Sequence, residues 1–130
     1  MKEIKAIDPI YIDEFDIKVS SYLTYSQIQQ IANAVIKFDT WAERKQNIDL
    51  LVLYHATDIG RDKIEELGHD VLLQSGVIDA VNSKIMNTYD IYKAIEYTES
   101  TSRALSQIIK MMSEKMKETK KVRNSGTSKK

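Results

Sequence analysis

Cysteine is absent from the 130 residues, which excludes a disulfide framework and any thiolate metal site. That absence suits a reducing compartment. One proline and four glycines exclude collagen-like and elastic chains. No apolar run approaches the length of a membrane span. The opening MKEIKAIDPI has no apolar signal core, so export by that route is not expected. What remains is the composition of one ordinary domain. A folded globule of this mass exposes roughly 7,000 Å², against roughly 22,000 Å² for the unfolded chain, so a real core can be buried without staples.

Charge of one sign is scarce at the C-terminal end only. The chain balances nineteen basic against nineteen acidic residues. Residues 110–130 hold eight Lys/Arg and only Glu114 and Glu118 as acids, a net of +6. Residues 1–109 therefore carry −6. Such a tail is either a solubilising segment or an arm for a polyanion or a partner. The residues that would meet a polyanion are Lys115, Lys120, Lys121, Arg123, Lys129 and Lys130. The tail has no aromatic residue on which single-stranded bases could stack. Contact with DNA would be phosphate-directed, salt-sensitive and blind to sequence.

Hydrophobic spacing predicts a mainly α protein: a small bundle of about five helices with a short extended N-terminal arm and a long C-terminal helix. Ile10-Tyr11-Ile12 and Phe15-Asp16-Ile17-Lys18-Val19 are β-branched or aromatic, and Asp8-Pro9 marks a break. One strand or a loose hairpin fits them. A lone hairpin is marginal, so it must pack on helices or pair with another chain. The first helix starts near Thr24, where Thr24 and Gln27 form a capping-box pattern, and runs to about Phe38 with Ile28, Ile31, Ala32, Val35 and Ile36 as its stripe. The second spans about Trp41 to Thr57. Its expected core face is Trp41, Ile48, Leu51 and Val52, with His55 a further candidate.

The third spans about Asp62 to Gln74 with Ile64, Leu67, Val71 and Leu72 inward. Gly68 in its middle costs about 1 kcal/mol relative to alanine and weakens its continuity. Ser75-Gly76 reads as a helix stop with Gly76 left-handed and Val77 closing the contact. A short fourth helix follows to about Met86. The last runs from about Thr88 to about Lys117, with Tyr92, Ile95, Leu105, Ile108, Ile109, Met112 and Met116 on one face. Its stripe thins between Thr98 and Ser102. About thirty helical residues reach about 45 Å, whereas a compact chain of this length is about 36 Å across. An overhang or a bend is expected, and an overhanging Leu105–Met116 face needs a second chain to cover it. The domains expected are an arm over 1–23, a helical domain over 24–118 and a disordered basic tail over 119–130.

The densest polar cluster is His55, Asp58, Asp62, Glu65, Glu66, His69 and Asp70. Such residues can bind a divalent metal or move protons. The adjacent His69-Asp70 is similar to the metal-binding pair of HD-type phosphohydrolases, but the wider ligand pattern of those enzymes is missing. On the third helix Asp62, Glu65, Glu66 and His69 lie mainly opposite Ile64, Leu67 and Val71, as on any solvated helix. There is no Gly-x-Ser-x-Gly elbow, no serine beside a histidine, and no phosphate-cradling glycine loop. Glu96 and Glu99 sit on a helix as do carboxylates of all-α nucleotide pyrophosphohydrolases, without a convincing second acidic motif. A helix-turn-helix reading of the first two helices fails on their few basic residues. No catalytic residue, metal site or cofactor is expected.

Tyrosine is the abundant aromatic, at seven residues. Rigid and amphipathic, it is common at interfaces. The expected interface residues are Tyr11, Phe15, Tyr22, Tyr97, Leu105, Ile109, Met112 and Met116.

Three segments carry a family likeness. Ile17-Lys18-Val19-Ser20-Ser21-Tyr22-Leu23-Thr24-Tyr25, followed by an amphipathic helix, resembles the opening of small proteins from the morphogenesis modules of tailed bacteriophages. Tyr54-His55-Ala56-Thr57-Asp58-Ile59 and Leu72-Leu73-Gln74-Ser75-Gly76-Val77-Ile78-Asp79-Ala80-Val81 resemble the same group. The likeness covers about residues 15–95, and its motifs are capping and packing signals. It implies a small α-helical, non-enzymatic head or tail component. The protein would be assembled in the bacterial host cytoplasm and reside in the virion. Its partners would be other copies of itself and neighbouring virion proteins, with non-specific DNA contact by the basic tail and no membrane. Two other readings compete: a phage-encoded regulator that binds a host or defence protein, and a weak nucleic-acid binder acting through the tail. The basic tail departs from what the group leads one to expect.

Overall fold

The computed structural model describes the backbone of residues 1–128 and the side chains of residues 1–119. Two strands and five α-helices follow in order: β1 (Ile10–Ile12), β2 (Ile17–Val19), α1 (Tyr25–Val35), α2 (Trp41–Ala56), α3 (Arg61–Gln74), α4 (Val77–Lys84) and α5 (Tyr89–Ser128). The chain divides into two compact units, Met1–Glu96 and Tyr97–Lys130, with the boundary inside α5.

In the first unit, β1 and β2 form an antiparallel hairpin in the register Ile10↔Val19, Tyr11↔Lys18 and Ile12↔Ile17. A 3-10 turn over Asp13–Phe15 joins them. It closes through Asp16, whose left-handed φ of 54° is tolerable for aspartate and whose carboxylate accepts from the Tyr11 hydroxyl. Alternation puts Ile17 and Val19 inward and Lys18 outward. The hairpin docks on its own helices, the first of the two outcomes open to it. Val19 bridges Thr57, and the Ser20 N–H donates to the Ala56 carbonyl at 2.7 Å.

The start of α1 has the reciprocal cap its sequence predicts. Thr24 Oγ1 accepts from the Gln27 N–H at 3.1 Å, and Gln27 Oε1 accepts from the Thr24 N–H at 2.9 Å. Thr40 caps α2 in the same manner by accepting from the Glu43 N–H. Ile28, Ile31, Ala32 and Val35 of α1 face Ile48, Val52, Leu53 and Ala56 of α2 in one core.

Trp41 is a correction. It is half-exposed rather than core, stacked on Tyr92 at 6.2 Å between ring centroids and covered by the Arg44 guanidinium at 5.0 Å. Arg44 is instead the buried residue of that turn. It donates to the carbonyls of Phe38 (2.8 Å) and Ile36 (3.3 Å), where α1 leaves its last carbonyls without helical partners.

Val71 is a second correction, and Gly68 is its cause. Gly68 has φ 78° and ψ 165°, which breaks α3 in two. The phase of the helix changes there. Ile64 stays inward before the break and Leu72 after it, while Val71 is exposed. Gly76 is left-handed at φ 87°, starts α4, and is followed by buried Val77 and Ile78, as the stop signal predicts.

Asn87 then ties the approach to α5 back to the segment that leads into α1. Its side-chain oxygen accepts from the Leu23 N–H and its amide donates to the Leu23 carbonyl, both at 2.9 Å. In α5, Ile91 and Ile95 are fully buried and Tyr92 only half so. The second unit is helical from Tyr97 to Ser128, past the stop expected near Lys117. Lysine, glutamate and methionine are strong helix formers, and no proline or glycine interrupts them before Gly126. The side chains of Lys120, Lys121 and Arg123, and the residues Lys129 and Lys130, lie outside what the structure describes. Among the described residues no helix is long and apolar enough to cross a membrane.

Gly68 yields the first prediction. A Cβ at this position meets nothing within 4 Å, so the cost of Gly68→Ala is conformational alone. In urea unfolding the variant should lose about 1–3 kcal/mol, the cost of a non-glycine residue in this backbone region. Equal stability would show that α3 can run straight without penalty.

Candidate functional site

The polar cluster read from the sequence does not converge. His69 is turned away from solvent by the Gly68 break, and its Nε2 lies 3.0 Å from Asp49 Oδ2 on α2. The Asp49 carboxylate is buried and also receives the Lys45 ammonium. Glu65 pairs with Arg61 at 3.0 Å and Glu66 with Lys63 at 3.7 Å, both along the exposed surface of α3. Asp58 accepts from the Lys18 N–H at 2.9 Å, which is a hairpin contact. Among the described residues no group of three or more His, Cys, Asp or Glu side chains is arranged to hold a metal. None of their buried side-chain nitrogens or oxygens lacks a hydrogen-bond partner. Glu99, the second carboxylate weighed on α5, pairs with Arg103 at 3.2 Å.

His55 stands at the end of α2 with its ring edge-on to Tyr54, 5.0 Å between centroids. Burial disfavours its charged form and lowers its pKa from the ordinary 6.5. Its backbone carbonyl accepts from the Gln27 side chain, so the residue helps seat α1 on α2.

Two of the open grooves among the described residues lie in the first unit. One, of about 550 Å³, runs between α1, α2 and α3, with Phe38, Leu50, Leu51 and Ile64 on its floor and Lys37, Arg61 and Glu65 at its rim. The other, of about 460 Å³, lies between the hairpin, the turn after α2, and α3. Phe15, Ile59, Leu67 and Val71 supply its apolar lining, and Asp16, Asp58 and Lys63 its charges. Residues from three separated segments of the chain meet here. Ile17 comes from the hairpin, Asp58 and Ile59 from the turn after α2, and Leu72, Ser75 and Val77 from the end of α3 and the start of α4.

The expected interface residues fall in different settings. Phe15 is half-buried and packs against the core. Tyr11 and Tyr22 are exposed on the hairpin and the loop before α1. Tyr97 is exposed at the start of the second unit. Leu105, Ile108, Ile109, Met112 and Met116 are each between 53% and 72% exposed, at helical spacing on one face of that unit. Lys115 is exposed beside them. Sequence reasoning missed Arg44, Asp49 and Asn87. Arg44 and Asn87 hold backbone groups of other segments, and Asp49 reaches His69 on α3, although its pairing with Lys45 has the i,i+4 spacing of a helix.

No family model, curated protein or solved structure matches the chain.

His55 supplies the second prediction. Its folded pKa lies below its unfolded value, so its contribution to stability is complete above pH 6.5 and is lost as pH falls through that value toward the folded pKa. Between about pH 7.5 and 5.5 the wild-type melting temperature should therefore fall more than that of His55→Gln. Parallel profiles for the two proteins would refute the assignment.

Proposed function

We propose that this is a non-enzymatic assembly protein of a tailed-bacteriophage head or tail module, working through helical contacts with copies of itself and with neighbouring virion proteins. The observation that carries the interaction role is the exposed face Leu105–Met116 of the second unit. Five large apolar side chains at spacings of one, three and four residues form one stripe on a helix. Contiguous exposed apolar surface of this kind marks an interaction site. Burying one such side chain fully gains about 1.5–3 kcal/mol, and less where part is already covered. Association itself costs about 4–15 kcal/mol. One face therefore sustains a weak contact, and repetition around an assembly, by raising effective concentration, makes it a stable one. The resemblance of residues 17–25, 54–59 and 72–81 supports the phage-module setting.

The test is to follow the chain in purified particles. Mass spectrometry should find it at a defined copy number in the virion. Recovery only from assembly intermediates would make it a transient assembly factor. A Leu105→Glu/Ile109→Glu variant should fold with a stability within about 0.5 kcal/mol of wild type, because both side chains are already exposed, yet fail to enter particles. Wild-type incorporation of that variant, or absence of the chain from every particle and intermediate, would overturn the proposal.

A further inference from the structure

The two units carry opposite charge. Residues 97–130 hold nine Lys/Arg and three acids, a net of +6, which leaves −6 on residues 1–96 of this neutral chain. The apolar stripe therefore lies on a basic helix, with Lys115 beside it. Among the surfaces described above, a second copy of the same helix and the two grooves of the first unit could receive it. A second copy of the same helix offers a matching stripe but brings +6 against +6, which is repulsive at contact distances shorter than the roughly 8–10 Å screening length. In the groove between α1, α2 and α3, Arg61 is paired with Glu65, and Lys37 leaves a net positive charge, again the wrong sign. The groove between the hairpin and α3 has the right one. Asp16 and Asp58 line it, and its one cation, Lys63, is already paired with Glu66.

We propose that the Leu105–Met116 face of one copy docks in the groove between the hairpin and α3 of a second copy. The inference rests on the self-assembly reading above and names its two surfaces. The groove volume, about 460 Å³, is that of a pocket able to take several side chains. The mode is that of an amphipathic helix set in a groove, anchored at positions i, i+3 or i+4, and i+7. Ile109, Met112 and Met116 supply those anchors, and the unbranched methionines adapt to an irregular floor. Exposed Val71, which the Gly68 break leaves facing outward, becomes part of the receiving surface. The contact is heterologous, because the donor face and the acceptor groove differ. Each copy can then give to one neighbour and receive from another, and the result is a closed ring or an open run of copies.

The absence of cysteine makes the test direct, since every disulfide formed is an engineered one. Full-length Val71→Cys and Met112→Cys proteins, each with one thiol, are mixed and oxidised at low salt. The expected product is the mixed disulfide, at least tenfold above either homodisulfide. Sedimentation of the wild type should show association growing past the dimer as concentration rises toward about 200 µM, a range where Kd corresponds to about −5 kcal/mol. It should weaken at least tenfold in Met112→Asp, and again when salt rises from about 0.05 M to 0.5 M, where charges are screened within a few ångströms. A dominant Met112→Cys homodisulfide would show helix pairing with helix and overturn the docking. So would association indifferent to salt. A wild type that stays monomeric, with no mixed disulfide, would also overturn it. In that last case, continued exclusion of Leu105→Glu/Ile109→Glu from particles would show that another virion protein covers the face, so the assembly reading stands or falls separately.

Discussion

The first unit depends on a short strip of backbone pairing where the chain from Lys18 to Ser20 meets residues 56–58. The Ser20 N–H takes the Ala56 carbonyl, the Asp58 N–H takes the Lys18 carbonyl, and Asp58 returns a carboxylate oxygen to the Lys18 N–H. These bonds satisfy groups at the end of α2 that a helix leaves open. They also give a two-stranded hairpin the additional partner it needs to persist in water. With the strip in place, Ile17 and Val19 enter the core against α1 and α2. Without it the hairpin would be an exposed ribbon, and the groove it shares with α3 would lose a wall.

That junction explains what could be read from the residues and what could not. Signals that act within a few residues were legible. The Thr24–Gln27 cap, the Gly76 stop and the period of α1 each depend on neighbours less than one or two turns away. Contacts closed over longer separations were not. Asp49 and His69 are twenty residues apart and meet only because Gly68 leaves helical geometry between Leu67 and His69. A glycine inside a helical pattern signals a cost but not the angle of the break it permits. Trp41 reads as a core residue because it is large and apolar. Its place was taken by Arg44, whose fork of donors closes the end of α1 while its flat face lies over the indole.

The candidate surfaces follow the same division. The stripe Leu105–Met116 is visible in the sequence because its period lies within one helix. Both grooves are assembled from three or more separated elements, and their lining appears only after folding. His69 departs from the solvated face read for α3 for the same reason. With His69 turned inward to Asp49, Glu65 and Glu66 pair along the surface of α3 and Asp58 holds the hairpin.

Charge separation then gives the apolar surfaces a direction. Apolar contact is nearly indifferent to what it meets, so a greasy helix by itself would adhere to any greasy neighbour, including its own twin. A −6 and +6 division of a neutral chain changes that. Like surfaces repel and unlike surfaces attract, and the penalty for the wrong pairing does more for specificity than the gain for the right one. In the head-to-tail arrangement proposed above, a neutral total would also keep a growing assembly from accumulating charge, since each added copy brings as much of one sign as the other. A chain whose two units differ in sign, and whose exposed stripe lies on one while an acid-lined groove lies on the other, is therefore suited to head-to-tail repetition rather than to a closed symmetric pair.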